Sequence, residues 1–155
     1  MGIKILIIDE DLTLIKSLTR TFDYCGYQVI DAPDAMIGVQ RALRHQPNLI
    51  LSELEYPAGG VYNVLKNLSR SLITRDIPIL IFTASTNAAA KSRLLELGVT
   101  TYIQKPCDRE DLLAQVVERL GTPMSKPMTS STQSIITTGD FKSSTRTPQT
   151  PAKKI

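Results

Sequence analysis

Tryptophan is absent from this 155-residue chain, histidine occurs once, at His45, and cysteine twice, at Cys25 and Cys107. Two cysteines make neither a disulfide framework nor a four-cysteine zinc site, and a single histidine excludes a histidine-rich metal centre. No apolar run approaches the ~20 residues that span a bilayer. The start, Met1-Gly2-Ile3-Lys4, has neither the basic opening nor the small-residue cleavage site of a signal peptide, so a cytoplasmic protein without membrane contact is expected. What remains is 42% hydrophobic and 21% charged, with a mean hydropathy of -0.04, the mixture of a soluble globular chain.

The formal charge of +3 is unevenly placed. Residues 122–155 hold five cations (Lys126, Lys142, Arg146, Lys153 and Lys154) against Asp140 alone, a balance of +4, which leaves residues 1–121 at -1. The same stretch carries six Ser, eight Thr and four Pro and too few apolar residues to offset the entropy of ordering it. The expected organisation is a folded domain over 1–121 and a disordered, basic Ser/Thr/Pro-rich tail or linker over 122–155. Thr147-Pro148 and Thr150-Pro151 resemble proline-directed phosphorylation sites, but a segment this rich in Thr and Pro produces such pairs by accident.

Before residue 121 two periodicities alternate. Ile3-Lys4-Ile5-Leu6-Ile7-Ile8 is a nearly continuous apolar run, the pattern of a strand buried on both faces of a parallel sheet. Leu14, Ile15, Leu18 and Phe22 follow at helical spacing, and Gly26 turns the chain into a strand at Tyr27–Ile30. A helix is predicted from about Pro33 to Arg44, a strand at Asn48–Ser52, and a helix through Val61, Val64, Leu65 and Leu68. A fourth strand spans Ile77–Phe82, a helix Asn87–Leu97, a fifth strand Thr101–Gln104, and Leu112, Leu113, Val116, Val117 and Leu120 stripe a last helix. Five such units give a (βα)5 fold: a doubly wound, five-stranded parallel sheet of the flavodoxin-like kind with helices on both faces.

Functional groups of such sheets gather beyond the carboxyl ends of the strands. Those ends carry Asp9-Glu10-Asp11, Glu53, Thr83 and Lys105-Pro106. Cys107 belongs to that edge and Cys25 to the opposite one, so a bridge between them is not expected.

The converging residues, with Pro47-Asn48-Leu49-Ile50-Leu51, Pro57 and Tyr102-Ile103-Gln104-Lys105-Pro106, resemble the receiver domain of bacterial two-component response regulators over about residues 3–121. The resemblance implies a Mg2+ site at Asp9 and Glu10 and phosphoryl contacts from Thr83 and Lys105. It also implies a cis bond at Lys105-Pro106, a switch pair at Thr83 and Tyr102, and partners among histidine kinases or other signalling proteins. One position departs: Glu53 stands where the family carries its phosphoacceptor aspartate. The extra methylene displaces the carboxylate by about 1.5 Å, more than the ~1 Å that in-line attack tolerates, so phospho-transfer is expected to be lost or very slow and Mg2+ binding weak.

Glu53 has two open readings: it mimics the activating phosphoryl group, or it only neutralises Lys105. A charge-assisted contact contributes roughly 1.5–3 kcal/mol, short of the ~5.5 kcal/mol that inverts a two-state equilibrium, so partial bias is the stronger expectation. Tyr102 is open in the same way, between switch and packing, and Gly59-Gly60 between a pliable loop and a turn that needs positive φ. His45 reads as a solvated helix-terminal residue. Thr100 and Thr101 stand where family members that dimerise through the fourth helix, fifth strand and fifth helix carry acids, so a monomer or weak homodimer is expected.

Two rivals belong to other classes. Asp9-Glu10-Asp11-Leu12-Thr13 fits the Asp-x-Asp-x-Thr motif of haloacid-dehalogenase-type phosphatases, with Asp9 and Asp11 as the acids, but an amphipathic helix follows at once and no later acidic pair completes that site. A DNA-associated regulator would use the basic tail, yet five dispersed cations give only weak, salt-sensitive attraction and no reader motif follows Leu120, so nucleic acid is not the expected partner. The expected protein is a stand-alone, non-enzymatic atypical receiver that acts by protein contact, with a state set by Glu53 rather than by aspartyl phosphorylation.

Overall fold

The computed structural model describes residues 2–57, 59–99 and 101–122; the expectations for Thr100 and for the tail from 123 onward lie outside the described residues. The chain alternates as β1 (Lys4–Ile8), α1 (Leu12–Tyr24), β2 (Gln28–Ala32), α2 (Ala35–His45), β3 (Leu49–Ser52), α3 (Gly60–Ser69), β4 (Ile79–Thr83), α4 (Ala88–Glu96), β5 (Thr101–Gln104) and α5 (Arg109–Leu120). All strand pairs are parallel, in the order β2-β1-β3-β4-β5. This is the doubly wound, flavodoxin-like arrangement that the alternating periods predict.

Strand alternation divides the interior into two layers. Ile5 and Ile7 of β1 face one core with Leu49, Leu51, Leu80 and Phe82, closed by Leu14, Ile15, Leu18 and Phe22 of α1 and by Leu112 and Val116 of α5. Leu6 and Ile8 face the other with Ile50 and Ile81, closed by Ala42 of α2, Val61, Val64 and Leu68 of α3, and Leu94 of α4. At Gly38 the α2 backbone comes so close to β1 that an added Cβ would lie 2.5 Å from Ile8 Cδ1.

Local chemistry sets the element ends. Asp11 caps α1 through the amides of Thr13 and Leu14, Asp34 caps α2 through Ile37, and Asn87 caps α4 through Ala90. α2 therefore begins at Ala35, two residues later than its apolar pattern implies. β4 begins at Ile79 rather than Ile77, because the Ile77 amide bonds back to Thr74 O and Pro78 has no N–H for a ladder. Among the described residues no helix is long and apolar enough to cross a membrane.

Candidate functional site

Sheet pairing carries three side chains to one place. Beyond β1 the Asp9 amide bonds to Ala32 O at 3.1 Å, and beyond β3 the Glu53 amide bonds to Ile8 O at 3.0 Å, which sets the two acids side by side at the β1/β3 switch point. Beyond β5 the Lys105 amide bonds to Thr83 O at 2.7 Å, and the Lys105-Pro106 bond is cis.

From there Lys105 Nζ donates to Asp9 Oδ2 at 2.8 Å and to Glu53 Oε2 at 2.9 Å. The side chains of Asp9, Glu53 and Lys105 are only 6%, 15% and 16% exposed, so water screens these pairs poorly. The remaining carboxylate oxygens are also engaged: Asp9 Oδ1 accepts the Asp11 amide at 2.8 Å and Glu53 Oε1 accepts the Leu54 amide at 2.6 Å. Burial pulls the Lys105 pKa down, but the hydrogen bonds and charges of Asp9 and Glu53 outweigh it, and the ammonium titrates above its ordinary range.

A hydroxyl pair under the acids was not singled out in the sequence. Tyr56 OH lies 2.8 Å from Ile8 O and 2.7 Å from Ser52 Oγ, which itself reaches Glu53 O at 2.8 Å. Two hydroxyl protons alternate among these three contacts, two being hydrogen bonds at a time, and the pair ties the start of the β3–α3 loop to the end of β1. Burial pushes the Tyr56 phenol well up, aided by the charges of Asp9 and Glu53 and opposed by the Ser52 hydrogen bond, so it stays a neutral donor. A hydroxyl-bearing residue at the end of β3 and a Tyr shortly after Glu53 were the available signal, but many loops share it.

The other expected residues are arranged less directly. Thr83 is buried, and its Oγ1 accepts the Ser85 amide at 3.1 Å, while half-buried Tyr102 donates to Ser85 O at 2.7 Å. Ser85 therefore links the two, and among the described residues no hydrogen bond joins Thr83 Oγ1 to Glu53 or Lys105; the longer carboxylate meets the lysine, not the threonine. Lys91 Nζ lies 5.2 Å from the Tyr102 ring centre. Glu10 is exposed and stays out of the ion-pair cluster, and Asp11 is engaged as a helix cap. Gly59 and Gly60 have φ of 105° and 68°, so this turn requires positive φ at both. Cys25 and Cys107 are free, half-buried thiols whose pKa values burial raises.

A divalent cation fits this arrangement poorly. Of the expected pair Asp9 and Glu10, Glu10 is exposed; Lys105 Nζ bonds to both Asp9 and Glu53, every Asp9 and Glu53 oxygen has a partner, and among the described residues no group of three or more His, Cys, Asp or Glu side chains is placed to hold a metal.

Fold and site together define a doubly wound α/β domain with an acid–lysine cluster at the strand carboxyl ends. Residues 5–117 match the family model of the response regulator receiver domain, and the chain belongs to that family, the receivers of two-component response regulators. It is 34% identical over 113 residues to the DNA-binding dual master transcriptional regulator RpaA of Synechocystis, an alignment covering 73% of this chain and 47% of the relative. It is 30% identical over 126 residues to the phosphate regulon transcriptional regulatory protein PhoB of Escherichia coli, covering 80% and 55%. The chain thus spans about half the length of the curated relatives it matches. Among solved structures, the chemotaxis protein CheY4 of Vibrio cholerae superposes with a TM-score of 0.70 at 23% identity, covering 76% of this chain and 98% of its own. A CheY-like receiver domain from Methanospirillum hungatei gives 0.71 at 24%, covering 76% and 93%. These two likenesses support the fold.

Proposed function

We propose that this receiver signals through protein contact from a state set by its own ion pairs rather than by phosphorylation of an aspartate. The observation that carries this is Lys105 Nζ held at 2.9 Å from Glu53 Oε2, with Glu53 at the family's phosphoacceptor position. A carboxylate displaced by a methylene and engaged by both Lys105 and the Leu54 amide is a poor in-line nucleophile. Glu53 supplies one negative charge to Lys105, where a phosphoryl group brings roughly 1.5–2. Mg2+ would be held weakly at Asp9 and Glu10, since Asp9 is already paired with the Lys105 ammonium. Thr83, Ser85 and Tyr102 couple the site to the β4–α4 loop, and α4, β5 and α5 present the surface read by a histidine kinase or another signalling protein. In this reading the protein is cytoplasmic, non-enzymatic, and monomeric or weakly dimeric; the engagement of Asp11 as a cap weighs against phosphatase chemistry on Asp9 and Asp11.

The names of the curated relatives favour a second reading, in which the receiver serves a transcriptional output. Retention of duplex DNA in a gel shift at physiological salt would support that reading.

The first reading is tested by incubating the full chain with acetyl phosphate and Mg2+ and measuring intact mass. No phosphoryl adduct is expected on the wild type, and Glu53→Asp is expected to gain one. A stable adduct on the wild type that is absent from Glu53→Gln would overturn the proposal.

A further inference from the structure

The connection between α3 and β4 holds two adjacent aliphatic side chains in water: Leu72 is 77% exposed and Ile73 54%. The turn that bears them is fixed by its own hydrogen bonds. Buried Thr74 donates from Oγ1 to Leu68 O of α3 at 2.8 Å, and the Arg75 amide bonds to Ser71 O at 2.9 Å. Cations surround the tip. Arg70 and Arg75 flank it, Lys66 lies one turn before Arg70 on α3, and Arg44 is in the last turn of α2, the helix packed beside α3. Arg75 makes an exposed 3.7 Å pair with Asp76, whereas Arg44, Lys66 and Arg70 are exposed and, among the described residues, enter no salt bridge. The cavity beside the turn has the same sign, with Lys66, Arg75 and Arg93 in its lining against Asp76 alone. Helix C-termini account for cations at Arg44 and Lys66, but not for Leu72 and Ile73 in water. This edge, at the amino ends of the strands, carries two further features. Tyr24, the last residue of α1 on the opposite layer, is 81% exposed. Tyr27 OH, just before β2, donates to Gly121 O at 3.0 Å, so residues 122–155, with their balance of +4, leave the fold here.

We propose that this edge rests on an anionic lipid surface. Leu72 and Ile73 enter the boundary between headgroups and acyl chains, and Arg44, Lys66, Arg70 and the cations of 122–155 lie among the headgroup phosphates. Charge selects an anionic partner, and the shape of the tip selects a bilayer. The two side chains project rather than line a groove, and the acyl boundary admits a projecting aliphatic pair at any point of its surface. Duplex DNA would answer the cations but leave Leu72 and Ile73 in water. A second copy packed edge to edge would set the same cations against one another. Contact with headgroups needs neither a spanning helix nor a leader segment, so it stands apart from the expectation drawn from their absence. It is also independent of the state of Glu53, which lies at the other end of the strands.

The chain has no tryptophan, so Leu72→Trp places a single indole at the tip. With vesicles of phosphatidylcholine and phosphatidylglycerol at roughly 0.1 M salt, the emission of this full-length variant should shift to the blue, and with phosphatidylcholine alone it should stay in place. In vesicle co-sedimentation of the full chain, Leu72→Ser/Ile73→Ser and Arg44→Ala/Lys66→Ala/Arg70→Ala should each weaken binding about tenfold. All five positions are exposed, and circular dichroism checks that the variants keep the fold. An unshifted emission with the anionic vesicles, equal binding to both vesicle types, or binding unchanged in Leu72→Ser/Ile73→Ser overturns the proposal. Binding carried wholly by the five cations of 122–155, or tighter retention of duplex DNA that Leu72→Ser/Ile73→Ser leaves untouched, overturns it as well.

Discussion

Replacing Lys105 with Met removes the cation from between two buried carboxylates while keeping much of the side chain's volume. Nζ makes contacts of 2.8 and 2.9 Å to groups that are only 6% and 15% exposed, so the loss leaves uncompensated charge in a poorly solvated place. Removing one partner of a buried pair costs about 3–5 kcal/mol, whereas an exposed pair contributes about 0–1 kcal/mol. The protein contains its own control: Arg41 and Asp31 pair at 3.3 Å with side chains 39% and 53% exposed. Urea denaturation followed by far-UV circular dichroism should therefore show Lys105→Met destabilised by about 3–5 kcal/mol, a fall in thermal midpoint of roughly 10–20 °C for a domain of this size. Asp31→Ala should cost no more than about 1 kcal/mol. Adding Glu53→Gln to Lys105→Met should recover part of the loss, since it removes one of the stranded charges. A Lys105→Met cost near that of Asp31→Ala, or no recovery in the double variant, would refute the buried bridge.

Three further outcomes follow from the same geometry. Because Lys105 titrates above its ordinary value in the folded state, its stabilisation is complete below the unfolded lysine pKa of about 10.4 and is lost as pH rises through the folded value. Wild-type stability should fall more steeply across that alkaline window than that of Lys105→Met, and parallel profiles would contradict the assignment. Tyr56→Phe removes a buried hydroxyl from Ile8 O and Ser52 Oγ and should cost about 1–3 kcal/mol in denaturant unfolding, a neutral result counting against the hydroxyl pair. Gly38→Ala gains up to about 1 kcal/mol of helix propensity, but its Cβ would stand 2.5 and 3.0 Å from Ile8 Cδ1 and Cγ1, so overpacking of about 1–3 kcal/mol should prevail. Thermal unfolding should show the loss partly relieved by Ile8→Val.

The fold was legible because both of its signals are local. The β1 run from Ile5 to Ile8 is apolar at every step, as burial on two faces demands, and the helices after it keep their stripes. Ends were less legible where a polar side chain or a proline competes with the pattern, as Asp34 does at α2 and Pro78 at β4. Asp9, Glu53 and Lys105 could be placed at one edge because parallel strands put their carboxyl ends together. Which oxygen each lysine proton meets depends on side-chain lengths and loop paths that no spacing encodes: Glu53 reaches Lys105, Thr83 turns to Ser85, and Glu10 faces solvent. The Tyr56–Ser52 pair was invisible for a related reason, since a tyrosine shortly after a strand reads equally as packing.

The account rests on Lys105 being committed to Asp9 and Glu53, so that a phosphoryl group finds no vacant partner. The most direct measurement is an amide 1H–15N spectrum of the full chain titrated with beryllofluoride, a phosphoryl analogue, in the presence of Mg2+. The account predicts that the Thr83, Ser85, Tyr102 and Lys105 amides of the wild type stay in place, while those of Glu53→Asp shift saturably. Saturable shifts of these amides in the wild type would contradict it.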